Sequence, residues 1–337
     1  MSSLGLAIVV AMTAAISAAM ILALLPALER HVLAHPNARS SHRRPTPQGG
    51  GIAVIAASLA VAAGANVLAP GDPALNMPSL WALFAATAFI ALVGMVDDIR
   101  TIEVAPRLLL QALAVVVMIA SLPAELRVVT ALPWWIERAL LFVACLWFVN
   151  LTNFMDGIDW MTVAEFVPIA VGIALIGLLG ALPMPSVIVA LALCGGLIGF
   201  APFNRPVARI FLGDVGSLPI GLVFAWLLIQ VGGSGHVVAA LLLPLYYLAD
   251  ATLTLLRRMK NGEPFWQAHR THFYQLAVVR GFSVAEAIAR VFAVNIALVA
   301  LATGTVVWPG PWSAALALVA GCAAVGWLLV SFARGKP

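Results

Sequence analysis

The 337-residue chain contains 63% hydrophobic and only 9% charged residues, with a formal net charge of +4. A soluble domain carries roughly 25% charged residues, so this composition excludes a soluble enzyme, and we expect no nucleic-acid partner. Apolar runs of about twenty residues are typical of membrane-spanning helices, whereas a β-barrel would show short alternating segments. The sequence therefore predicts an all-α polytopic integral membrane protein that forms a single domain over residues 1–337.

The apolar runs predict about eleven transmembrane helices. They lie near residues 4–28, 50–69, 79–96, 105–122, 136–153, 160–181, 186–203, 215–232, 237–256, 288–307 and 312–332. Of the 18 lysines and arginines, only Arg127 and Arg138 fall on one face of this arrangement. The positive-inside rule makes the other, basic face cytoplasmic, with the N-terminus in the periplasm and the C-terminus in the cytoplasm.

The outward loop between the fourth and fifth spans contains acidic residues beside arginines. Glu125 and Glu137 are predicted to be solvated loop residues or interfacial anchors. Trp134 and Trp135 next to them are typical of an aromatic belt at the membrane surface.

The first inward loop contains the sequence SSHRRPTPQGGG. Its basic residues, among them Arg43, either only fix the topology or contact an anionic ligand. Prolines stiffen the chain, and three consecutive glycines permit unusual dihedral angles or close approach of the backbone to a ligand.

Two adjacent carboxylates, Asp97 and Asp98, end the third span in the sequence GMVDDIR. Neighbouring helical side chains point about 100° apart, so the two would contact different partners or flank one cation. They repel each other at a membrane surface unless a metal or a base neutralises them. Arg107 and Gln111 lie one turn apart on the next span and are expected to face the interior. A solvated helix end is the alternative.

The sequence NLTNFMDGIDW places a polar cluster between two apolar spans. Polar groups in a membrane without partners or water cost several kcal/mol, so such a cluster indicates a function. Asp156 and Asp159 are three residues apart, and Asn150 and Asn153 repeat that spacing, which puts each pair on one helical face. Gly157 would allow a break between the spans.

The sequence FNRPVARIFLGDVGS carries Asn204, Asp214 and Ser217 at the start of the eighth span. Gly213 and Gly216 flank Asp214. They would leave its carboxylate and the nearby amide groups accessible to a metal or a phosphate. Arg205 and Arg209 add positive charge. A plain helix-entry turn is the alternative.

The longest inward loop contains EPFWQAHRTHFYQL, with Arg270 between His269 and His272. A zinc site is an alternative, but only two histidines cluster and no cysteine lies nearby. Imidazole and guanidinium groups next to carboxylates suit the binding of a diphosphate better. Upstream, Asp250 falls within a span and is expected to meet an arginine or lysine. A break of that span near Pro244 is also predicted.

Together, carboxylates, basic loops and a glycine-rich turn on one face favour a magnesium-dependent phosphoryl transfer. A site at the membrane surface implies one lipid substrate and one water-soluble substrate. The alternative function is a transporter, which would place charges near the middle of its spans and contain inverted repeats. Only Asp250 lies clearly within a span, so the sequence favours the transferase over a transporter.

The motifs PTPQGGG, GMVDDIR, NLTNFMDGID, FNRPVARIFLGDVGS and HRTHFYQ occur in this order between about residues 40 and 282. In this the chain resembles the polyprenyl-phosphate N-acetylhexosamine-1-phosphate transferases. This superfamily includes the peptidoglycan translocase and the enzymes that initiate O-antigen lipids. The resemblance implies an undecaprenyl phosphate acceptor, a UDP-N-acetylhexosamine donor, and Mg²⁺ or alternatively Mn²⁺ as cofactor. It also implies that the protein is located in the bacterial inner membrane. The oligomeric state can be a monomer or a homodimer.

The resemblance further implies roles for particular residues. Asp97 would deprotonate or orient the lipid phosphate, with Asp98 beside it as a catalytic group near the metal. Asp214 and Asp98 would be magnesium ligands. His272 matches the most characteristic histidine of the superfamily, and His269 and Arg270 would lie next to the diphosphate.

The remaining implied residues bind substrate. Asn153, Asp156 and Asp159 would line the nucleotide pocket, and Asn204 would support it. Arg43 stands where the translocase branch has a lysine.

Two departures from the superfamily pattern affect the expected substrate. His272 is followed by Phe273, Tyr274 and Gln275 and not by further histidines, which favours the O-antigen-initiating branch over the translocase that uses UDP-MurNAc-pentapeptide. Trp160 follows Asp159 where the superfamily usually has glycine. The backbone conformation at this position and the specificity for the donor can therefore differ from those of the superfamily.

Overall fold

The computed structural model describes residues 1–34, 45–68, 78–263 and 269–336. This part of the chain folds into thirteen helices and two short strands. The helices are α1 Ser3–His31, α2 Gly51–Leu68, α3 Pro78–Ile99, α4 Val104–Ala120, α5 Trp134–Met155, α6 Met161–Leu178, α7 Met184–Asn204, α8 Asp214–Gly233, α9 Val237–Leu242, α10 Leu245–Lys260, α11 Phe273–Val279, α12 Val284–Val307 and α13 Pro311–Arg334. The strands β1 Leu33–Ala34 and β2 Thr46–Pro47 pair antiparallel.

The predicted spans each correspond to helical structure, so the all-α polytopic membrane fold is confirmed. Nine helices of the described residues are long and apolar enough to cross a membrane: α1, α2, α3, α5, α6, α7, α8, α12 and α13. The fourth predicted span, α4, is shorter at 17 residues. The ninth is divided between α9 and α10. The number of crossings and their direction stay predictions.

The division of the ninth span confirms the break expected near Pro244. Helix α9 ends at Leu242, and Pro244 precedes the first residue of α10. Proline lacks a backbone N–H and obstructs the preceding helical turn, so a continuous helix is disfavoured there.

Helix α8 forms the centre of the bundle. Nearly every residue between Val215 and Gly232 is buried, and α2, α3 and α5 pack around it. A helix that is apolar on all sides can bury itself only inside a bundle. The first residue of this central helix is Asp214, which places that carboxylate where the surrounding helices meet.

The connection between α4 and α5 differs from the sequence prediction. Glu137 is 2% exposed and Arg138 7% exposed, so the prediction that Glu137 is solvated or interfacial was wrong. The Glu137 carboxylate accepts hydrogen bonds from Arg127 and from the backbone N–H groups of Val128 and Val129. Arg138 donates to backbone carbonyls of the same connection. The carboxylate therefore folds the loop onto the helix, which satisfies the buried charge.

Candidate active site

The N-terminus of α8 is capped by a carboxylate from α3. Asp98 accepts hydrogen bonds from the backbone N–H groups of Asp214, at 2.9 Å, and Val215, at 3.1 Å. The first N–H groups of a helix lack partners within the helix and carry partial positive charge, so a carboxylate stabilises them. The side chain of Gln48 donates to the same carboxylate. Asp98 thus holds the motif that contains Asp214 against the end of α3.

Asp97 has different partners from Asp98, which is one of the two arrangements that the helical geometry allowed. Its carboxylate accepts from Arg107 Nη1 at 2.9 Å and from the backbone N–H of Ile102 at 2.6 Å. The same Arg107 nitrogen lies 3.7 Å from an Asp214 oxygen. Two carboxylates from α3 and α8 therefore converge on one guanidinium group.

Asn153, near the end of α5, binds the other side of Asp214. Its amide donates to Asp214 Oδ1 at 2.7 Å and to Ser217 Oγ at 3.0 Å. Asn150, one turn earlier, donates to the backbone carbonyl of Leu146 and takes no part in this contact.

The glycine-rich run approaches the protein's own backbone. The N–H groups of Gly49 and Gly50 both donate to the carbonyl of Phe211, and that of Gly51 donates to the carbonyl of Leu212. Gly49 has φ +113°, so unusual dihedral angles are confirmed. This run therefore fixes the segment that leads into Asp214, and it positions Gln48 beside Asp98. Arg43, by contrast, lies outside the described residues.

Asp156 and Asp159 follow the end of α5 and have different surroundings. Asp156 accepts a hydrogen bond from Thr162. Burial raises the pKa of Asp156 to about 7, because the charged carboxylate has lost water. Asp159 is 5% exposed and accepts from the backbone N–H of Ala208 at 3.0 Å. Asp159 thereby ties the segment after α5 to the segment after α7.

Trp160 adopts the left-handed conformation, with φ +63° and ψ +1°. This region favours glycine and costs other residues roughly 1–2 kcal/mol. Asn204 offsets part of this strain, because its Oδ1 accepts from Trp160 N at 2.8 Å and its Nδ2 donates to the carbonyl of Ile210. The Trp160 indole also donates to the carbonyl of Ala201. The backbone at position 160 is thus one that glycine would adopt without strain.

These segments enclose a polar cavity of about 210 Å³ at one end of the bundle. Its lining includes five of the predicted site residues, Asn153, Asp156, Asp159, Asn204 and Asp214. The structure thus brings together motifs from Gln48 to Asp214, and Asp98 binds the backbone of Asp214 from the end of α3.

His272 lies beside this cavity at the start of α11. Its Nδ1 lies 3.2 Å from Asp250 Oδ1, so the structure gives Asp250 a histidine partner where the sequence predicted an arginine or lysine. The ring stacks between His269, with centroids 4.9 Å apart, and Tyr274, at 5.7 Å. Arg270 is half-buried in the same segment.

Tyr274 connects this segment to the cavity wall, a contact that the sequence did not predict. Its hydroxyl donates to the carbonyl of Phe154 at 3.1 Å. A Cβ atom added at Gly157 would lie 2.1 Å from that hydroxyl, so only glycine fits there. A second overlooked residue is Gln48. The only sequence signals of the contact between Tyr274 and the segment at Gly157 were the glycine itself and an aromatic residue shortly after the histidine.

The oxygen-rich surroundings of Asp214 fit a magnesium ion. Asp97 and Asp214 converge on one positive charge, and hard oxygen ligands suit Mg²⁺. Within the described ranges no three His, Cys, Asp or Glu side chains form a group that could hold a metal. Magnesium commonly binds through one or two carboxylates plus substrate phosphates, so two protein carboxylates are sufficient. Asp98 already accepts three hydrogen bonds, and its predicted role as a metal ligand stays a prediction.

Comparison with known proteins shows what the chain is similar to. A family model described as glycosyl transferase family 4 matches residues 80–232, which include the motifs of Asp97, Asp156 and Asp214. The decaprenyl-phosphate N-acetylglucosaminephosphotransferase of Mycobacterium tuberculosis (strain CDC 1551 / Oshkosh) is 26% identical over 286 residues, covering 74% of this chain and 70% of that protein. The chain is thus similar to polyprenyl-phosphate N-acetylhexosamine-1-phosphate transferases.

Two further relatives match the chain over different lengths. The probable undecaprenyl-phosphate N-acetylglucosaminyl 1-phosphate transferase of Bacillus subtilis (strain 168) is 27% identical over 274 residues, covering 74% of this chain and 70% of that protein. The phospho-N-acetylmuramoyl-pentapeptide-transferase of Leuconostoc citreum (strain KM20) is 33% identical over 157 residues, or 41% of this chain and 48% of that protein. The chain is therefore a multi-pass membrane transferase.

Proposed function

We propose that this transferase moves an N-acetylhexosamine 1-phosphate from a UDP-sugar to undecaprenyl phosphate. The observation that carries this proposal is the convergence of Asp97 and Asp214 on Arg107 beside a polar cavity at the end of the helix bundle. The names of the similar proteins, which act on polyprenyl phosphates and N-acetylated sugars, support it.

In the proposed reaction, an oxygen of the lipid phosphate attacks the β-phosphorus of the UDP-sugar. A new P–O–P bond forms, the bond between the β-phosphorus and the bridging oxygen breaks, and UMP leaves with that oxygen. The products are undecaprenyl-diphospho-sugar and UMP. In such transfers the protein mainly positions the reactants and offsets their charge.

The residues near α3, α4 and α8 suit the lipid phosphate. Asp97 would accept the proton of that phosphate or orient it, and Arg107 would hold the carboxylate in place and attract the anionic group. Asp98 would act through the backbone of Asp214, which it fixes by two hydrogen bonds.

Asp214 would hold the magnesium ion, with Asp98 as the second predicted ligand and manganese as the alternative ion. When bound, the ion would neutralise charge on the phosphates of the donor. Removal of divalent ions with EDTA should abolish transfer, and addition of Mg²⁺ should restore it. Retention of most activity in EDTA would contradict this part of the proposal.

The donor's nucleotide would occupy the cavity whose walls carry Asn153, Asp156 and Asp159, and Asn204 would support that wall. His272, His269 and Arg270 would lie next to the diphosphate. Arg43, outside the described residues, stays a predicted substrate-binding residue. The stacked imidazoles and the guanidinium groups would offset the charge of the diphosphate.

The finer assignment concerns the sugar and the pathway. The sequence after His272 favours a modified N-acetyl sugar and the first membrane step of O-antigen or other surface-polysaccharide synthesis. Transfer of phospho-MurNAc-pentapeptide is the alternative, since phospho-N-acetylmuramoyl-pentapeptide-transferases also match part of the chain. The bacterial inner membrane, with the site on its cytoplasmic face, is the location that this function requires.

Release of UMP tests the proposal. Membranes that contain the transferase are incubated with undecaprenyl phosphate, Mg²⁺ and each of a panel of UDP-N-acetylhexosamines, with the Asp214→Asn variant as control. We expect UMP from at least one donor and at least about 100-fold less from the variant. No UMP from any of these donors would contradict the proposal, and UMP only from UDP-MurNAc-pentapeptide would identify a translocase.

A further inference from the structure

Asp250 is a fully buried carboxylate with an unusual number of partners. It lies in α10, close to the break at Pro244, and is 0% exposed. Its Oδ1 accepts from the backbone N–H of Phe273 at 3.0 Å, and its Oδ2 from that of Tyr274 at 3.1 Å. The hydroxyl of Tyr246 lies 3.3 Å from Oδ2. A buried charge persists in a bundle only when such hydrogen bonds satisfy it.

The partner of Asp250 that can act on a substrate is His272. Its Nδ1 lies 3.2 Å from Asp250 Oδ1, and the residue is 4% exposed. A carboxylate can only accept hydrogen bonds, so Nδ1 carries the hydrogen. This assigns Nε2 as the nitrogen that can act on a substrate, because the tautomer of a histidine is set by the bond that its other nitrogen makes.

The same carboxylate also fixes where the ring stands. Asp250 binds the first two N–H groups of α11, and Tyr274 of that helix donates to the carbonyl of Phe154 on the cavity wall. The ring is held between His269 and Tyr274. One carboxylate therefore sets both the orientation of His272 and its position relative to Gly157 and the cavity.

We propose that Asp250 is a positioning residue for His272, holding the imidazole with Nδ1 protonated and Nε2 directed to the diphosphate of the donor. This inference rests on the proposed function. Where a carboxylate orients a metal-bound histidine, its removal typically costs 10–100-fold in affinity or activity, and we expect a loss of the same order here.

A double-mutant cycle on the full-length transferase tests the inference. Asp250→Asn, His272→Ala and the double variant are compared with the original protein for UMP release. Asp250→Asn alone should lower kcat by about 10–100-fold. In the His272→Ala background the same change should alter kcat by less than about threefold, because the group through which Asp250 acts is gone.

A split between kinetic constants separates positioning from a purely structural role. The loss in Asp250→Asn should fall on kcat, while KM for undecaprenyl phosphate stays within about threefold, because Asp97 and Arg107 lie on a different wall. Tyr246→Phe is the matched control. It removes a hydrogen bond to the same carboxylate but leaves the His272 bond, and it should keep kcat within about threefold.

A second variant covers the case in which Asp250→Asn does not fold. His272→Asn keeps an amide N–H near the position of Nδ1 but lacks a group equivalent to Nε2. It should retain a higher melting temperature than His272→Ala and have an equally low kcat. Equal melting temperatures of these two variants would overturn the inference, as would equal losses from Asp250→Asn with and without His272. An original protein that releases no UMP would instead refute the proposed function.

Discussion

At the scale of single residues, the cavity wall depends on a strained backbone that one side chain holds in place. Trp160 is in the left-handed region, and the bonds of Asn204 to Trp160 N and to the carbonyl of Ile210 fix it between two segments. Strain of this kind persists where the surrounding structure determines the conformation, and it is frequent at functional sites. The contribution of Asn204 to the stability of the fold should therefore depend on which residue occupies position 160.

Asn204→Ala should destabilise the transferase strongly when Trp160 is present. Two buried backbone groups lose their partner, at about 1–3 kcal/mol each, which corresponds to a melting temperature lower by roughly 4–8 °C. In a Trp160→Gly background the loss should be clearly smaller, since glycine adopts φ +63° without strain. Melting curves of the four proteins in detergent measure this coupling. Identical losses in both backgrounds would show that Asn204 does not support the left-handed turn.

The raised pKa of Asp156 predicts a stability that depends on pH. Burial raises the pKa to about 7 from an ordinary value of 3.8, so the folded protein keeps this proton where the unfolded chain has lost it. Ionisation of Asp156 therefore disfavours the fold, and stability should fall as the pH rises from about 4 to about 7.

Asp156→Asn tests this assignment because asparagine imitates the neutral carboxyl group. In EDTA, the melting temperature of the variant relative to the original protein should rise between pH 5 and pH 8. A difference that does not change with pH would contradict the raised pKa.

At the scale of helices, close packing of α3 against α8 positions the carboxylates. A Cβ atom added at Gly94 would lie 2.3 Å from the backbone carbonyl oxygen of Asp214, so the two helices touch backbone to backbone. Asp97 and Asp98 follow within one turn of Gly94. Any side chain at position 94 must therefore separate these carboxylates from Asp214.

Gly94→Ala should lower transfer activity by roughly 100-fold, as misplacement by about 1 Å does in other enzymes, while the helix content by circular dichroism stays unchanged. Gly64→Ala is a matched control, because a Cβ atom at that helical glycine meets nothing within 4 Å. Similar activities of the two variants would show that the contact between α3 and α8 does not position the site.

At the scale of the whole molecule, local signals and distant contacts explain which predictions were correct. Runs of apolar residues and a proline identified the helices and the break before α10, because these depend on neighbours in sequence. The divergence of Asp97 and Asp98 followed from helical geometry. These features could be predicted from the sequence because no distant partner decides them.

The contacts that were missed join segments far apart in the chain. Asp98 caps a helix that begins at Asp214, Asp250 meets His272, and Glu137 is buried by its own loop. A sequence pattern shows that a charge needs a partner, but the packing of the helices selects which partner it is. Donor specificity is set by the same kind of contact, which is why the sugar stays a proposal.

The predicted orientation of the bundle can be measured by labelling single cysteines. In a background with Cys145, Cys194 and Cys322 replaced, Gly310→Cys lies between α12 and α13 at the predicted periplasmic end, and Gly262→Cys lies at the predicted cytoplasmic end. A membrane-impermeant maleimide should label the first in spheroplasts and the second only after lysis. The opposite pattern would invert the topology.

The fate of the donor's two phosphates tests the central claim most directly. The transferase is incubated with undecaprenyl phosphate and the UDP-sugar that supports UMP release, labelled with ³²P at the β-phosphate, and the lipid fraction is extracted. Transfer of a phosphosugar predicts that the label moves into the lipid while unlabelled UMP remains in the aqueous phase. Label that stays in the aqueous phase as UDP, with only the sugar in the lipid, would contradict the account.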